Sequence, residues 1–305
     1  MSDLCIHVGY PKTATTTFQI HVFSQHSQID YLGKFHPAHD YRTAELGIAV
    51  NELISVDSTR FKGIACLHAL VEGYRRTSDR PVVMISTESI IHPWAIDRGL
   101  VAERLKDALG DCRVLITIRE QFDAIESFFD YHGRHGSYLF LTVGDDEKVQ
   151  FPLTFDEWLK FNLRNPDKNY VSTIQYYETI SRYIDIFGRE NVGVLLYEEF
   201  VQNPVSYITK LCDFVGIDGV DEAVRLAANR REVVGPRNQG RDEVVAGSKS
   251  TAGVGPGVSP PRESLWDQLC DPDYKVIMLD ELYRQGNRQL QDSTGLPLNS
   301  FGYRV

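Results

Sequence analysis

A lysine followed by small hydroxylated residues is chemistry for an anion, and Lys12 stands in such a run: Gly9-Tyr10-Pro11-Lys12-Thr13-Ala14-Thr15-Thr16-Thr17. The ammonium supplies a full charge and the threonines supply hydroxyl donors. The apolar run 4–8 before it reads as a strand, Gly9, Tyr10 and Pro11 as a sharp turn, and Phe18, Val22 and Phe23 begin a helical spacing. A strand, tight turn and helix start gather unpaired backbone N–H groups and a positive dipole end at one point. The stretch is an anion cradle.

Its spacing departs from the common triphosphate loop. That loop, GxxxxGK[ST], carries its lysine directly after a second glycine, whereas Lys12 comes three residues after Gly9 and Ala14 stands where a glycine is expected. A second anion-reading pair lies further along. Arg119 ends an apolar run and Ser127 follows eight residues later, a little over two helical turns, which returns it to a similar side. A guanidinium fork and a neutral hydroxyl aimed at one point suit a phosphate. The bland alternative is a strand-end salt bridge and a helix-face serine. Glu88, in Ser86-Thr87-Glu88-Ser89 after another apolar run, is the candidate general base, with His92 in reserve. Glu88 could also cap the helix beside it or pair with Arg98, and Tyr197 could be plain core packing.

The elements that must position these residues alternate. Apolar runs at 82–86, 113–118 and 192–197 read as buried parallel strands, and 29–34 as a short further one. Helical rhythm covers 40–76, 97–109, 121–132, 154–163, 173–187 and a final block at 263–293. Asn203 and Pro204 form a cap and first-turn pair for a helix closed by Gly216. Alternating strands and helices predict an α/β fold, a single domain over 1–305 with a central parallel sheet flanked by helices. Ligands of such sheets sit beyond the strand carboxyl ends, where the cradle, Glu88 and Arg119 all fall. The Gly/Pro/Ser-rich stretch 247–261 reads as a mobile loop.

With 305 residues, 42% hydrophobic and 24% charged, the chain is of ordinary globular composition. A net charge of −10 argues against a general nucleic-acid or anionic-membrane binder, so an anionic ligand needs a local basic pocket. The five cysteines are widely spaced, with no CxxC pair and no Cys/His cluster of metal-ligand spacing, and read as reduced thiols. No apolar run approaches about 18 residues, and the first strand begins at residue 4. A cytoplasmic protein without stable membrane insertion is expected.

The order Tyr10-Pro11-Lys12-Thr13-Ala14-Thr15-Thr16-Thr17 resembles the 5′-phosphosulfate loop of the sulfotransferases that use 3′-phosphoadenosine 5′-phosphosulfate (PAPS). The segment from Arg119 to Phe128 resembles the Arg/Ser signature for the 3′-phosphate in that family, and Leu196-Tyr197-Glu198-Glu199 through Pro204 to Phe214-Val215-Gly216 resembles a third family motif. The three occur in family order between residues 8 and 216. The resemblance implies a bacterial, soluble sulfotransferase with a P-loop-like phosphosulfate-binding loop. It implies Lys12 as catalytic cation, the loop from Thr13 through Ala14, Thr15 and Thr16 to Thr17 on the 5′-phosphate, Arg119 and Ser127 on the 3′-phosphate, and Tyr197 against adenine. It also implies adenosine 3′,5′-bisphosphate as product and no metal. The Arg-Lys-Gly of cytosolic animal members is missing, and Arg237-Asn238 is the substitute. The resemblance implies a small-molecule or carbohydrate acceptor with a hydroxyl, an amine being less favoured, and a glutamate base leans within it to a carbohydrate or glycolipid. The competing readings are an ATP/Mg²⁺-dependent kinase-like enzyme and a non-catalytic nucleotide-binding module. The acceptor itself and the oligomeric state are not legible.

Overall fold

A computed structural model describes residues 1–37, 40–57, 63–92, 97–132, 152–164, 169–228, 265–269 and 272–305. The expected loop 247–261 and the pair Arg237 and Asn238 lie outside the described residues. Five strands, β1 (Asp3–His7), β2 (Ile29–Tyr31), β3 (Val82–Ser86), β4 (Arg113–Ile118) and β5 (Val192–Leu196), pair in parallel in the order β2-β3-β1-β4-β5. The apolar runs are continuous because both faces are covered. Leu4, Ile6, Val83, Ile85, Val114 and Ile116 face one core, whereas Cys5, Met84 and Leu115 face the other.

The cradle leads into α1 (Thr15–Thr17) and, without a break, a π-helical turn (Phe18–Phe23). The first core is covered by α2 (Ala44–Ser55), α3 (Ile64–Thr77), α4 (Arg98–Leu109), α5 (Gln121–Tyr131), α6 (Phe155–Arg164), α7 (Tyr170–Thr173) and α8 (Tyr176–Phe187). The second is covered by the π turn, α9 (Tyr197–Gln202), α10 (Pro204–Val215) and α11 (Val220–Ala228). A long helix, α12 (Pro272–Thr294), packs on α8. Among the described residues no helix is long and apolar enough to cross a membrane.

Four boundaries differ from the periodicity. The block 40–76 is two helices, because Val56 turns extended (φ −89°, ψ 132°) directly after α2. The helix expected at 173–187 begins later, as α8 at Tyr176, and Thr173 instead ends the short α7 before it. The strand expected at 29–34 is regular only over Ile29–Tyr31, although the Leu32 and Lys34 N–H groups still donate to the Met84 (2.8 Å) and Ser86 (2.9 Å) carbonyls; Gly33 between them passes so close that an added Cβ would lie 2.3 Å from the Ser86 nitrogen. Tyr197 opens α9 rather than ending β5. Helix α10 begins as read: the Asn203 side chain accepts from the Ser206 N–H, Pro204 occupies the first turn, and Gly216 closes it at φ +84°.

Candidate active site

The cradle lies at the carboxyl end of β1, the central strand, between β3 and β4. The topology changes direction there, and this is where parallel sheets of this kind open a crevice. Gly9 can only be glycine: a Cβ would meet Thr117 Oγ1 at 2.2 Å and His7 Nε2 at 2.7 Å. Lys12 (φ 72°) and Ala14 (φ 62°) are both left-handed, a conformation that costs L-residues and is retained where surrounding bonds over-determine it. Those bonds are present. Tyr170 donates to the Pro11 carbonyl (3.1 Å), Thr13 Oγ1 donates to the Tyr10 carbonyl (2.6 Å), and Arg119 Nη1 donates to the Lys12 carbonyl (3.2 Å). The first turn of α1 leaves the N–H groups of Thr15, Thr16 and Thr17 without a carbonyl one turn earlier. The first backbone bond back is from Phe18 to Ala14 (3.2 Å).

Beneath the cradle runs a buried hydrogen-bond chain whose proton directions can be assigned. Thr13 spends its proton on Tyr10, so Thr117 donates to Thr13 Oγ1 (2.7 Å). His7 Nε2 then donates to Thr117 Oγ1 (3.3 Å), and His7 Nδ1 accepts from Ser86 Oγ (2.8 Å), which itself accepts from Gln19 Nε2 (3.0 Å). Such a chain needs a neutral imidazole. Burial indeed pushes the His7 pKa down to about 3. The chain ties the carboxyl ends of β1, β3 and β4 to the loop.

Glu88 starts a 3₁₀ turn (Glu88–Ile90) after β3, capped by Thr87. Its Oε2 accepts from Thr15 Oγ1 (2.7 Å), and its Oε1 lies 3.5 Å from Lys34 Nζ. Arg98, the partner considered from sequence, reaches Thr173 instead (3.4 Å). Lys34 is a site residue that sequence reasoning passed over. Its position directly after Gly33, at the carboxyl edge of the sheet, was the available signal; its N–H donates to the Ser86 carbonyl (2.9 Å). Lys12 Nζ lies 4.4 Å from the centre of the Tyr131 ring. Burial first, then the Arg119 charge, lowers the Lys12 pKa, while Glu88 and Asp130 act in the opposite sense. His92 is buried and burial holds it well below the usual imidazole range; His132 is half-buried, and desolvation first, then the Lys12 and Lys34 charges, lower it to about 4. A lowered pKa makes His92 a weak proton acceptor.

Arg119 leaves β4 with its carbonyl accepting from Tyr176 OH (2.6 Å) and its guanidinium carbon 4.6 Å from the centre of the Tyr197 ring. Its Nε is buried with no hydrogen-bond partner among the described residues, an arrangement that costs free energy unless a ligand meets it. Ser127 is half-buried on α5. Behind Arg119, Glu198 accepts from the Glu120 N–H (2.8 Å) and from Tyr303 OH (3.1 Å), and burial raises the Glu120 pKa to about 7. Arg119 thus bonds the Lys12 carbonyl and lies over the Tyr197 ring, Thr15 bonds Glu88, Thr13 is anchored on Tyr10 and Thr117, and Ser127 lies on the helix that follows Arg119.

Residues 3–232 match the family model of the sulfotransferase domain. The chain belongs to the sulfotransferase family. This sulfotransferase is similar over 99% of its length to the crystal structure of a sulfotransferase from Alicyclobacillus acidocaldarius, 98% of which is covered, at 17% identity and a TM-score of 0.56. It is also similar to mouse sulfotransferase SULT7A1 complexed with PAP, at 16% identity and a TM-score of 0.43, covering 75% of this chain and 63% of that one. The likeness to the bacterial structure is one of fold. No curated protein sequence matches the sulfotransferase described above.

Proposed function

We propose that this sulfotransferase moves a sulfuryl group from PAPS to a hydroxyl of a small-molecule or carbohydrate acceptor by in-line displacement. The observation that carries the reading is the Arg119–Lys12 carbonyl bond of 3.2 Å. It sets a second cation, whose buried Nε has no partner among the described residues, at the rim of an anion cradle. Two anion sites that close suit a nucleotide bearing phosphates at both 5′ and 3′ positions. In the proposal the N–H groups from Thr13 to Thr17, with the hydroxyls of Thr15, Thr16 and Thr17, hold the 5′-phosphate, Arg119 and Ser127 the 3′-phosphate, and Tyr197 the adenine; the Thr13 hydroxyl serves the loop itself.

The displacement needs little covalent help from the protein, so catalysis is positioning and charge. Glu88 takes the acceptor's hydroxyl proton as the O–S bond forms. The bond from sulfur to the 5′-phosphate oxygen breaks, and Lys12 meets the charge growing on that oxygen, which stabilises the transition state more than the ground state. The hydroxyl directly after a triphosphate-loop lysine holds Mg²⁺; here Thr13 is only 1% exposed and committed to Tyr10 and Thr117. That commitment favours PAPS over ATP-Mg²⁺. A thermal-shift comparison tests the choice: adenosine 3′,5′-bisphosphate is expected to raise the melting midpoint by several degrees, and stabilisation by ATP-Mg²⁺ alone would overturn it.

A further inference from the structure

We propose that the Thr15 hydroxyl is shared between the base and the donor, so that donor binding releases Glu88 to take the acceptor's proton. The inference rests on the PAPS reading above. Thr15 belongs to the first turn of the cradle and is 4% exposed, and its Oγ1 donates to Glu88 Oε2 at 2.7 Å. A hydroxyl has one proton to donate. Glu88 Oε1 faces the Lys34 ammonium at 3.5 Å, so both carboxylate oxygens are engaged in this state. A base tied at both oxygens is poorly placed to receive a proton.

An anion in the cradle competes for the same hydroxyl. Thr15 lies where the N–H groups of α1 are unpaired, so a phosphate oxygen held there comes within reach of its side chain. When the Thr15 proton turns to that oxygen, Glu88 Oε2 loses its donated bond and becomes a better proton acceptor. The proton balance is then complete. The acceptor O–H breaks with its proton passing to Oε2, its electron pair forms the O–S bond, and the S–O pair stays on the departing bisphosphate. Lys34 keeps Oε1 fixed throughout, as a positioning residue. The consequence is an order of events: donor first, then a competent base. An acceptor that arrives early meets a carboxylate that is still occupied.

A double-mutant cycle read by calorimetry, with adenosine 3′,5′-bisphosphate and no acceptor, tests the sharing apart from turnover. The forms are wild type, T15V, E88A and T15V/E88A. Removing the Glu88 charge eases anion binding in both backgrounds, and that common effect cancels in the cycle. Sharing predicts that E88A tightens binding about tenfold more with Thr15 present than in the T15V background. Thr15→Ser, which keeps the hydroxyl, is expected to restore the coupling. Equal tightening in both backgrounds, or no coupling in Thr15→Ser, would overturn the inference. If wild type does not bind the bisphosphate at all, the PAPS reading is what fails. Melting midpoints verify each fold, and T15A replaces T15V should the latter unfold.

Discussion

Lys12 holds its charge where burial opposes it, a strained arrangement with a use only if a negative charge develops beside it. Lys12→Ala is expected to lower kcat by about 10²–10³ with the melting midpoint unchanged; substantial remaining turnover would remove it from its role. The lowered pKa sets the sign of a pH effect. The protonated form is lost at a pH below that of an ordinary lysine, so activity falls early on the alkaline side, and a pH profile of kcat is expected to lose that limb in Lys12→Ala. Glu88→Gln is expected to cost about 10²–10⁴ in kcat, measured with saturating donor; His92, buried and a weak acceptor, is not expected to replace it. These residues were legible because each has a type and a spacing: Lys12 after a turn, Glu88 after a strand, Arg119 and Ser127 eight apart. Lys34 has neither. It reaches Glu88 only through the packing of Gly33 on Ser86, a contact between segments far apart in sequence.

At the scale of elements, three strand ends are joined by the His7 chain. His7 is neutral in the fold with a pKa of about 3 against 6.5 when free. Between those values the unfolded chain binds more protons, so the stability is full above about pH 6.5 and is lost as pH falls toward 3, by up to about 1.4 kcal/mol per pH unit. Glu120, raised from 4.5 to about 7, acts oppositely and favours folding below that window. His7→Leu is expected to cost about 1–3 kcal/mol at pH 7, because Ser86 and Thr117 lose a partner, and to lose less stability than wild type between pH 7 and pH 5, because the opposing His7 slope is gone; denaturant titrations of both forms at the two pH values measure both. Gly9→Ala is expected to destabilise by about 1–3 kcal/mol and to weaken bisphosphate binding, since its Cβ meets Thr117, His7 and Thr15. Most elements were legible from period and caps: β3 and β4 from unbroken apolar runs, α10 from Asn203, Pro204 and Gly216. The break between α2 and α3 was passed over although Asp57-Ser58-Thr59 and Gly63, directly before α3, mark it, because the apolar rhythm resumes on both sides.

For the whole molecule, the parallel order β2-β3-β1-β4-β5 puts the cradle on the central strand, with Glu88 following one neighbour and Arg119 the other. Strand–helix alternation made the fold class legible, but not the strand order, which depends on pairing between segments as far apart as Cys5 and Arg113. The chain carries a net charge of −10, so the proposed anion site is a local feature set against the mean field. Its strength depends on Lys12, Lys34 and Arg119 being gathered at one edge of the sheet. Calorimetric titration of wild type and Arg119→Ala with adenosine 3′,5′-bisphosphate and with adenosine 5′-monophosphate tests this most directly. Wild type should bind the bisphosphate at least about tenfold more tightly than the monophosphate, as one charge-assisted phosphate contact requires. Arg119→Ala should lose most of that difference and little of the monophosphate affinity; equal losses for both nucleotides, or no preference in wild type, would contradict a second phosphate site at Arg119.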